Sequence, residues 1–97
     1  MVAYVIADNE ILDRERYAEY AQKSAKAMQK YKGRFLVRGG RAETLEGDWV
    51  PHRIIVIEFD SIEHAKEWLN SEEYCEPRKI KHSAARVRTI VVDGHVP

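Results

Sequence analysis

Apolar residues gather into four short runs along the chain, separated by stretches in which they recur at steps of three and four. Val2–Ala7 (VAYVIA) reads as a first strand, closed by the turn-prone pair Asp8-Asn9. Asp13 then has the position of an N-cap, its carboxylate able to accept from free amides of a first helical turn. Behind it Tyr17, Tyr20, Ala21, Ser24, Ala27, Met28 and Tyr31 mark one face of a helix, with Glu19, Lys23, Lys26 and Lys30 on the other. Gly33 is placed to stop it as a C′ residue. Gly33–Arg38 is the second strand. Gly39-Gly40 after it signals a bulge or a close backbone approach. Arg41–Leu45 can continue that strand, and Gly47-Asp48 suits a two-residue hairpin turn. Arg53–Phe59 (RIIVIEF) is the clearest strand. Asp60 or Ser61 caps a second helix with Ile62, Ala65 and Leu69 inward and Trp68 beside them. Asn70-Ser71 interrupts it. Ser71 caps a further helical stretch whose first turn holds Glu72 and Glu73, and which runs to about Ala85 with a disturbance at Pro77. Val87–Val92 is the last strand, ended by Asp93-Gly94.

The order is βαββαβ, one domain over residues 1–97. Right-handed crossovers put both helices on one face of an antiparallel four-stranded sheet, an α+β fold of ferredoxin-like type. A sheet with helices on one face and water on the other alternates apolar and polar residues. These strands do not. Ile55, Ile57 and Phe59 oppose Ile54 and Val56, and Val87 and Val91 oppose Ile90 and Val92. The second apolar face calls for a cover, and a second copy about a two-fold axis is the simplest one. Each large aliphatic side chain so buried contributes roughly 1.5–3 kcal/mol. A homodimer forming a dimeric α+β barrel is the expectation.

Composition narrows the partners. Lys plus Arg and Asp plus Glu each number 16, a formal net charge of zero. Nucleic-acid binders carry a basic excess, and anionic membranes attract one, so neither partner is expected. The single cysteine, Cys75, forms no internal disulfide. With no leader-like start and no apolar run near the ~20 residues that span a bilayer, a cytoplasmic location is expected.

The candidate chemistry follows from the strand faces. If the even-numbered positions line the interior between two sheets, that interior holds Tyr4, Arg34, Arg38, His52 and Glu58. An arginine fork suits a carboxylate or enolate, and His52 or Glu58 can move a proton. Arg38 is the candidate anion anchor, because Gly39 beside it lets a ligand come close. Trp49 can pack over a cavity mouth or form an edge contact. Tyr74 and Arg78 share one helical face and can hold an anion together. No metal-ligand spacing joins His52, His64, His82 and His95. No phosphate loop, nucleophile elbow or RNA-binding strand signature is present. No metal or cofactor is expected.

Taken together, YVIA at Tyr4–Ala7, DRERYAEY at Asp13–Tyr20, GRFLVRGG at Gly33–Gly40, LEGDW at Leu45–Trp49, RIIVIEFDS at Arg53–Ser61 and NSEEY at Asn70–Tyr74 resemble the family called domain of unknown function 1330. The combination of VRGG, LEGDW and NSEEY is its most specific part. Asp13-Arg14 stands where members often have Asp-Pro. The resemblance implies a dimeric α+β barrel, in the company of cofactor-free monooxygenases, isomerases and dehalogenating or decarboxylating enzymes. It adds Gly39, Gly40, Arg53, Asn70 and Ser71 to Arg38, Trp49 and Tyr74 as motif positions. The expected function is binding of a small organic acid or aromatic, with cofactor-free proton transfer. The alternative is a dimer that binds a metabolite without catalysis or is purely structural.

Overall fold

The computed structural model describes residues 1–96. Four strands, β1 (Ala3–Ile11), β2 (Arg34–Arg38), β3 (Ile54–Phe59) and β4 (Ala85–Asp93), and three helices, α1 (Arg14–Lys30), α2 (Ile62–Leu69) and α3 (Glu72–Ala84), follow the expected order. The sheet runs β2-β3-β1-β4, each neighbour antiparallel. This is the α+β ferredoxin-like fold.

The helix starts are local chemistry. Asp13, Ser61 and Ser71 each accept from the backbone N–H three residues on, at 3.1, 3.0 and 3.2 Å, so free amides of each first turn are satisfied. The end of α1 differs from expectation. The left-handed residue is Lys32, at φ 58°, and Gly33 donates back to the Met28 carbonyl at 3.0 Å while Lys32 donates to that of Gln29. Gly33 is needed for space: a Cβ there would lie 2.2 Å from Met28 Sδ and 2.9 Å from the Phe59 ring. Pro77 lies inside α3 without ending it.

The strands depart from the sequence reading at their ends. β1 continues through Asp8-Asn9 to Ile11, because β4 supplies a ladder partner for every residue from Ala3 to Ile11. Asp8-Asn9 is therefore strand and not turn. Arg41–Leu45 is loop, and no two-residue hairpin forms at Gly47-Asp48; residues 39–53 form one long connection. The irregularity in β2 falls between Phe35 and Val37, ahead of the glycine pair.

The core lies between sheet and helices, where Val5, Ala7, Ile55, Ile57 and Phe59 meet Ala27, Met28, Ala65, Trp68 and Tyr74. The other sheet face is open. Val37, Val56, Ile6 and Ile90 form one row across all four strands there. Among the described residues no helix is long and apolar enough to cross a membrane.

Candidate functional site

The bulge in β2 decides which side chains meet. Arg34 pairs with Glu58, but beyond the shifted register Arg38 pairs with Ile55. Directly paired residues share a face, and one extra residue turns every later side chain over. Arg38 and Glu58 therefore point to opposite faces, and the even-numbered interior is corrected. Arg34 and Glu58 form an ion pair at 2.8 Å on the open face, where Glu58 pairs with Tyr4. Arg38 lies on the helix side with its guanidinium 4.4 Å from the Phe35 ring centre.

His52 and Trp49 belong to a third place, near the far end of the open face. Asp8 is buried there and accepts from Trp49 Nε1 at 2.8 Å and from the His52 backbone N–H at 2.9 Å. Burial alone would raise the Asp8 carboxyl, but these two donors and the His52 charge hold it below the ordinary carboxylate value. His52, Trp49, Glu10, Arg86 and Arg88 surround a polar cleft of about 440 Å³ with Asp8. Asn70 and Ser71 occupy the α2–α3 junction. Asn70 ends α2 and Ser71 caps α3, and Arg78 reaches back to the Leu69 carbonyl at 3.4 Å.

On the helix side, α2 and α3 stand away from the edge strand β4 and leave an open crevice of about 370 Å³. Trp68, Leu69 and Val91 supply apolar wall, Lys66, Arg78 and Lys81 supply charge, and His82 adds an imidazole. Behind it lies a small chamber of about 40 Å³ bordered by Asn9, Tyr17, Tyr20, Arg38 and Arg53. Trp68, Leu69, Lys81 and Thr89 border both spaces.

Lys81 is the unexpected member. It is only 6% exposed, yet its Nζ donates to the Tyr74 hydroxyl at 3.0 Å rather than to a carboxylate. Tyr74, fully buried, shares a 2.8 Å hydrogen bond with the Tyr20 hydroxyl. Burial, with Arg78 beside it, pushes the Lys81 ammonium down to about 8. Burial pushes the Tyr20 phenol up to about 12 against the pull of the Tyr74 hydrogen bond, and raises Tyr74 as well. His82 is lowered by burial and by the charges of Lys81 and Arg78. Among the described residues no carboxylate lines the crevice or the chamber. Nor do Lys81, Arg78, Arg38 or Arg53 appear in any ion pair there. A buried lysine with no carboxylate beside it is costly by itself, and an anion placed against it offsets that cost.

Of the expected site residues, the structure brings Arg38, Arg53, Tyr74 and Arg78 to the helix-side cavity and leaves His52, Glu58 and Trp49 off it. Gly39, at φ 73°, lies so close to Arg53 that a Cβ would be 2.1 Å from Nη1. Close approach is thus the role of this glycine, and what approaches is Arg53. The sequence pattern does not mark Lys81, Tyr20 or Asn9 as site residues. A signal for Lys81 existed: Tyr74, Arg78 and Lys81 recur at steps of four and three on one face of α3. Asn9 carried none, because it reads as a turn residue. The described residues include no group of three or more His, Cys, Asp or Glu placed to hold a metal.

The fold recurs among solved structures. A protein of unknown function from Rhodopseudomonas palustris is 18% identical, with a TM-score of 0.81 over 99% of this chain and 84% of that one. A dimeric ferredoxin-like protein of unknown function from a Jannaschia species is 8% identical, with a TM-score of 0.72 over 97% of this chain and 100% of that one. SnoaB, a cofactor-independent oxygenase from Streptomyces nogalater, is 7% identical, with a TM-score of 0.67 over 99% of this chain and 95% of that one. At these identities the likeness is one of fold. No curated protein matches the chain in sequence. The profile of the domain of unknown function DUF1330 matches residues 2–95, nearly the whole chain, and the protein is a member of that family.

Proposed function

We infer that the protein binds a small organic acid in the helix-side crevice and moves a proton on it without a cofactor, working as a homodimer. The reading rests on one observation: Lys81 is buried in the wall of an apolar crevice with Arg78 and His82 and no carboxylate to neutralise it. The ligand's anionic group lies against Lys81 and Arg78, and its apolar body against Trp68, Leu69 and Val91. An amine held near 8 exchanges a proton at neutral pH far more readily than an ordinary lysine. Set beside a bound carbonyl acid, the neutral amine takes the proton from the carbon next to the carbonyl, stabilises the resulting enolate as the ammonium, and returns the proton to carbon. Proton transfer falls to Lys81 rather than to His52 and Glu58, which stand across the sheet. The solved cofactor-independent oxygenase of the same fold is in keeping with cofactor-free chemistry.

The open apolar row Val37–Val56–Ile6–Ile90 is the face that a second copy covers. Dimeric proteins of unknown function share this fold, which supports that assembly.

Calorimetric titration with benzoate, comparing the wild type with Lys81→Met, tests the binding step. Benzoate is expected to bind the wild type and to lose at least about tenfold in affinity in the variant, whose melting temperature does not fall. Equal binding by both proteins, or binding by neither, overturns the reading. Exchange of the C–H next to the keto group of phenylpyruvate, followed by NMR in D₂O, tests the chemistry. Phenylpyruvate that binds without faster exchange makes the protein a binding module and not an enzyme.

A further inference from the structure

Two tyrosines hold the Lys81 amine. Its Nζ donates to the Tyr74 hydroxyl at 3.0 Å. It also lies 5.3 Å from the Tyr74 ring centre and 5.7 Å from that of Tyr20, near enough for both rings to attract an ammonium. The Tyr74 and Tyr20 hydroxyls are themselves 2.8 Å apart. Lys81 and Tyr74 share α3, and Tyr20 reaches them from α1.

The direction of this chain follows from counting hydrogens. An ammonium has hydrogens to give and no lone pair, so Tyr74 is the acceptor toward Lys81. Its single hydroxyl hydrogen is left for Tyr20. Tyr74 is fully buried, and among the described residues its hydroxyl meets only Lys81 and Tyr20. Tyr20 has a second polar neighbour, Ser24. Were Tyr20 to donate to Tyr74, the Tyr74 hydrogen would be buried without a partner, which folded proteins avoid. The order is therefore Lys81 to Tyr74 to Tyr20. Giving its hydrogen to Tyr20 also makes the Tyr74 oxygen a better acceptor for Lys81.

This order matters to a base. A neutral lysine amine has one lone pair and two hydrogens, and only the lone pair takes a proton from carbon. A phenol hydrogen turned toward the amine would occupy that lone pair. With its hydrogen on Tyr20, Tyr74 accepts an N–H from Lys81 in either protonation state and leaves the lone pair free. A base held by one group that is itself held by another is the arrangement of activated catalytic groups. We propose that Tyr74 and Tyr20 are positioning residues for the Lys81 amine, Tyr74 anchoring one N–H and Tyr20 keeping the Tyr74 hydrogen off the lone pair. This rests on Lys81 as the proton carrier of the crevice. Tyr74, fully buried, acts through Lys81 and not on an anion directly.

Two single-hydroxyl deletions test this: Tyr20→Phe, and as a control Tyr17→Phe, whose buried hydroxyl is bonded to Asn9 instead. The titration of Lys81 is followed by heteronuclear NMR of its side chain, its signals assigned by their loss in Lys81→Met. The pH profile of phenylpyruvate exchange in D₂O is measured at saturating phenylpyruvate. In Tyr20→Phe the freed Tyr74 hydrogen turns to the neutral amine. Lys81 is then expected to titrate about one pH unit lower than in the wild type, and the exchange plateau at high pH to fall at least about tenfold. Tyr17→Phe is expected to lower the melting temperature and to leave the titration and the plateau unchanged. A Tyr20→Phe protein that titrates at the wild-type value or keeps the wild-type plateau overturns the proposal, as does a Tyr17→Phe protein that shifts equally, while the crevice reading stands. If the wild type exchanges no phenylpyruvate but Lys81 titrates lower in Tyr20→Phe alone, the proton-transfer reading fails and the positioning of Lys81 stands.

Discussion

The Lys81 ammonium donates to the Tyr74 hydroxyl at 3.0 Å inside the protein, in a cavity whose described lining includes no carboxylate. The pair holds a positive charge against apolar walls at a standing cost, which gives the site a measurable signature in stability as well as in binding.

Replacing Lys81 with methionine, of similar length and no charge, is expected to stabilise the free protein by about 1–3 kcal/mol at pH 7. The desolvated charge is removed, while Tyr74 keeps its hydrogen bond to Tyr20. Chemical denaturation of both proteins checks this; a loss of stability would mean that the ammonium is already neutralised in the fold.

The same residue sets an alkaline pH dependence. Its folded value of about 8 lies below the ordinary 10.5. Between those values the unfolded chain holds the proton that the folded chain has released, so stability rises with pH. From pH 8 to about 10 the wild type is expected to gain on the order of 2–3 kcal/mol relative to Lys81→Met. Over the same range benzoate affinity is expected to fall, because the ammonium that receives the carboxylate is lost.

Asp8 holds the long β2–β3 connection to the sheet through Trp49 and His52. Asp8→Asn is expected to cost about 1–3 kcal/mol near neutral pH, with a red-shifted Trp49 emission. The carboxyl is depressed below its ordinary value of 3.8 in the fold. Its contribution is therefore complete above that value and is lost as pH falls through the lower folded value. The gap between wild type and variant should close on acidification.

Gly39 and Gly40 are neighbours with different duties. Gly39→Ala meets a left-handed φ of 73° and the Arg53 guanidinium at 2.1 Å, whereas a Cβ at Gly40 meets nothing within 4 Å. Gly39→Ala is expected to cost about 1–3 kcal/mol in chemical denaturation. Gly40→Ala should be close to neutral in the same measurement.

The open sheet face is tested at Ile90, which is 61% exposed in the single chain. A charge there costs the isolated subunit little but cannot be buried in an apolar interface. Ile90→Glu is expected to sediment as a folded monomer at concentrations where the wild type is a dimer. A wild type that is itself monomeric would remove the dimer proposal.

Much was legible along the chain because it is local. Asp13 and Ser71 cap helices through contacts three residues long, and Ser61 settles the choice left open with Asp60. The βαββαβ order follows from short runs of matching period. The apolar character of both strand faces is also written in the sequence, since alternate positions in β3 and β4 are apolar on either side. What only the tertiary structure decided is where side chains a few residues from an irregularity point, and what stands beside them. One extra residue in β2 sends Arg38 to the opposite face from Glu58, because side chains alternate with a period of two. Asp8-Asn9 has the composition of a turn but runs as strand, because β4 offers it a ladder. Lys81 reads as one more helix-surface cation until α3 packs beside α1 and its chain turns inward to Tyr74. Its depressed pKa exists only there, because desolvation is a property of the packed surroundings and not of the residue.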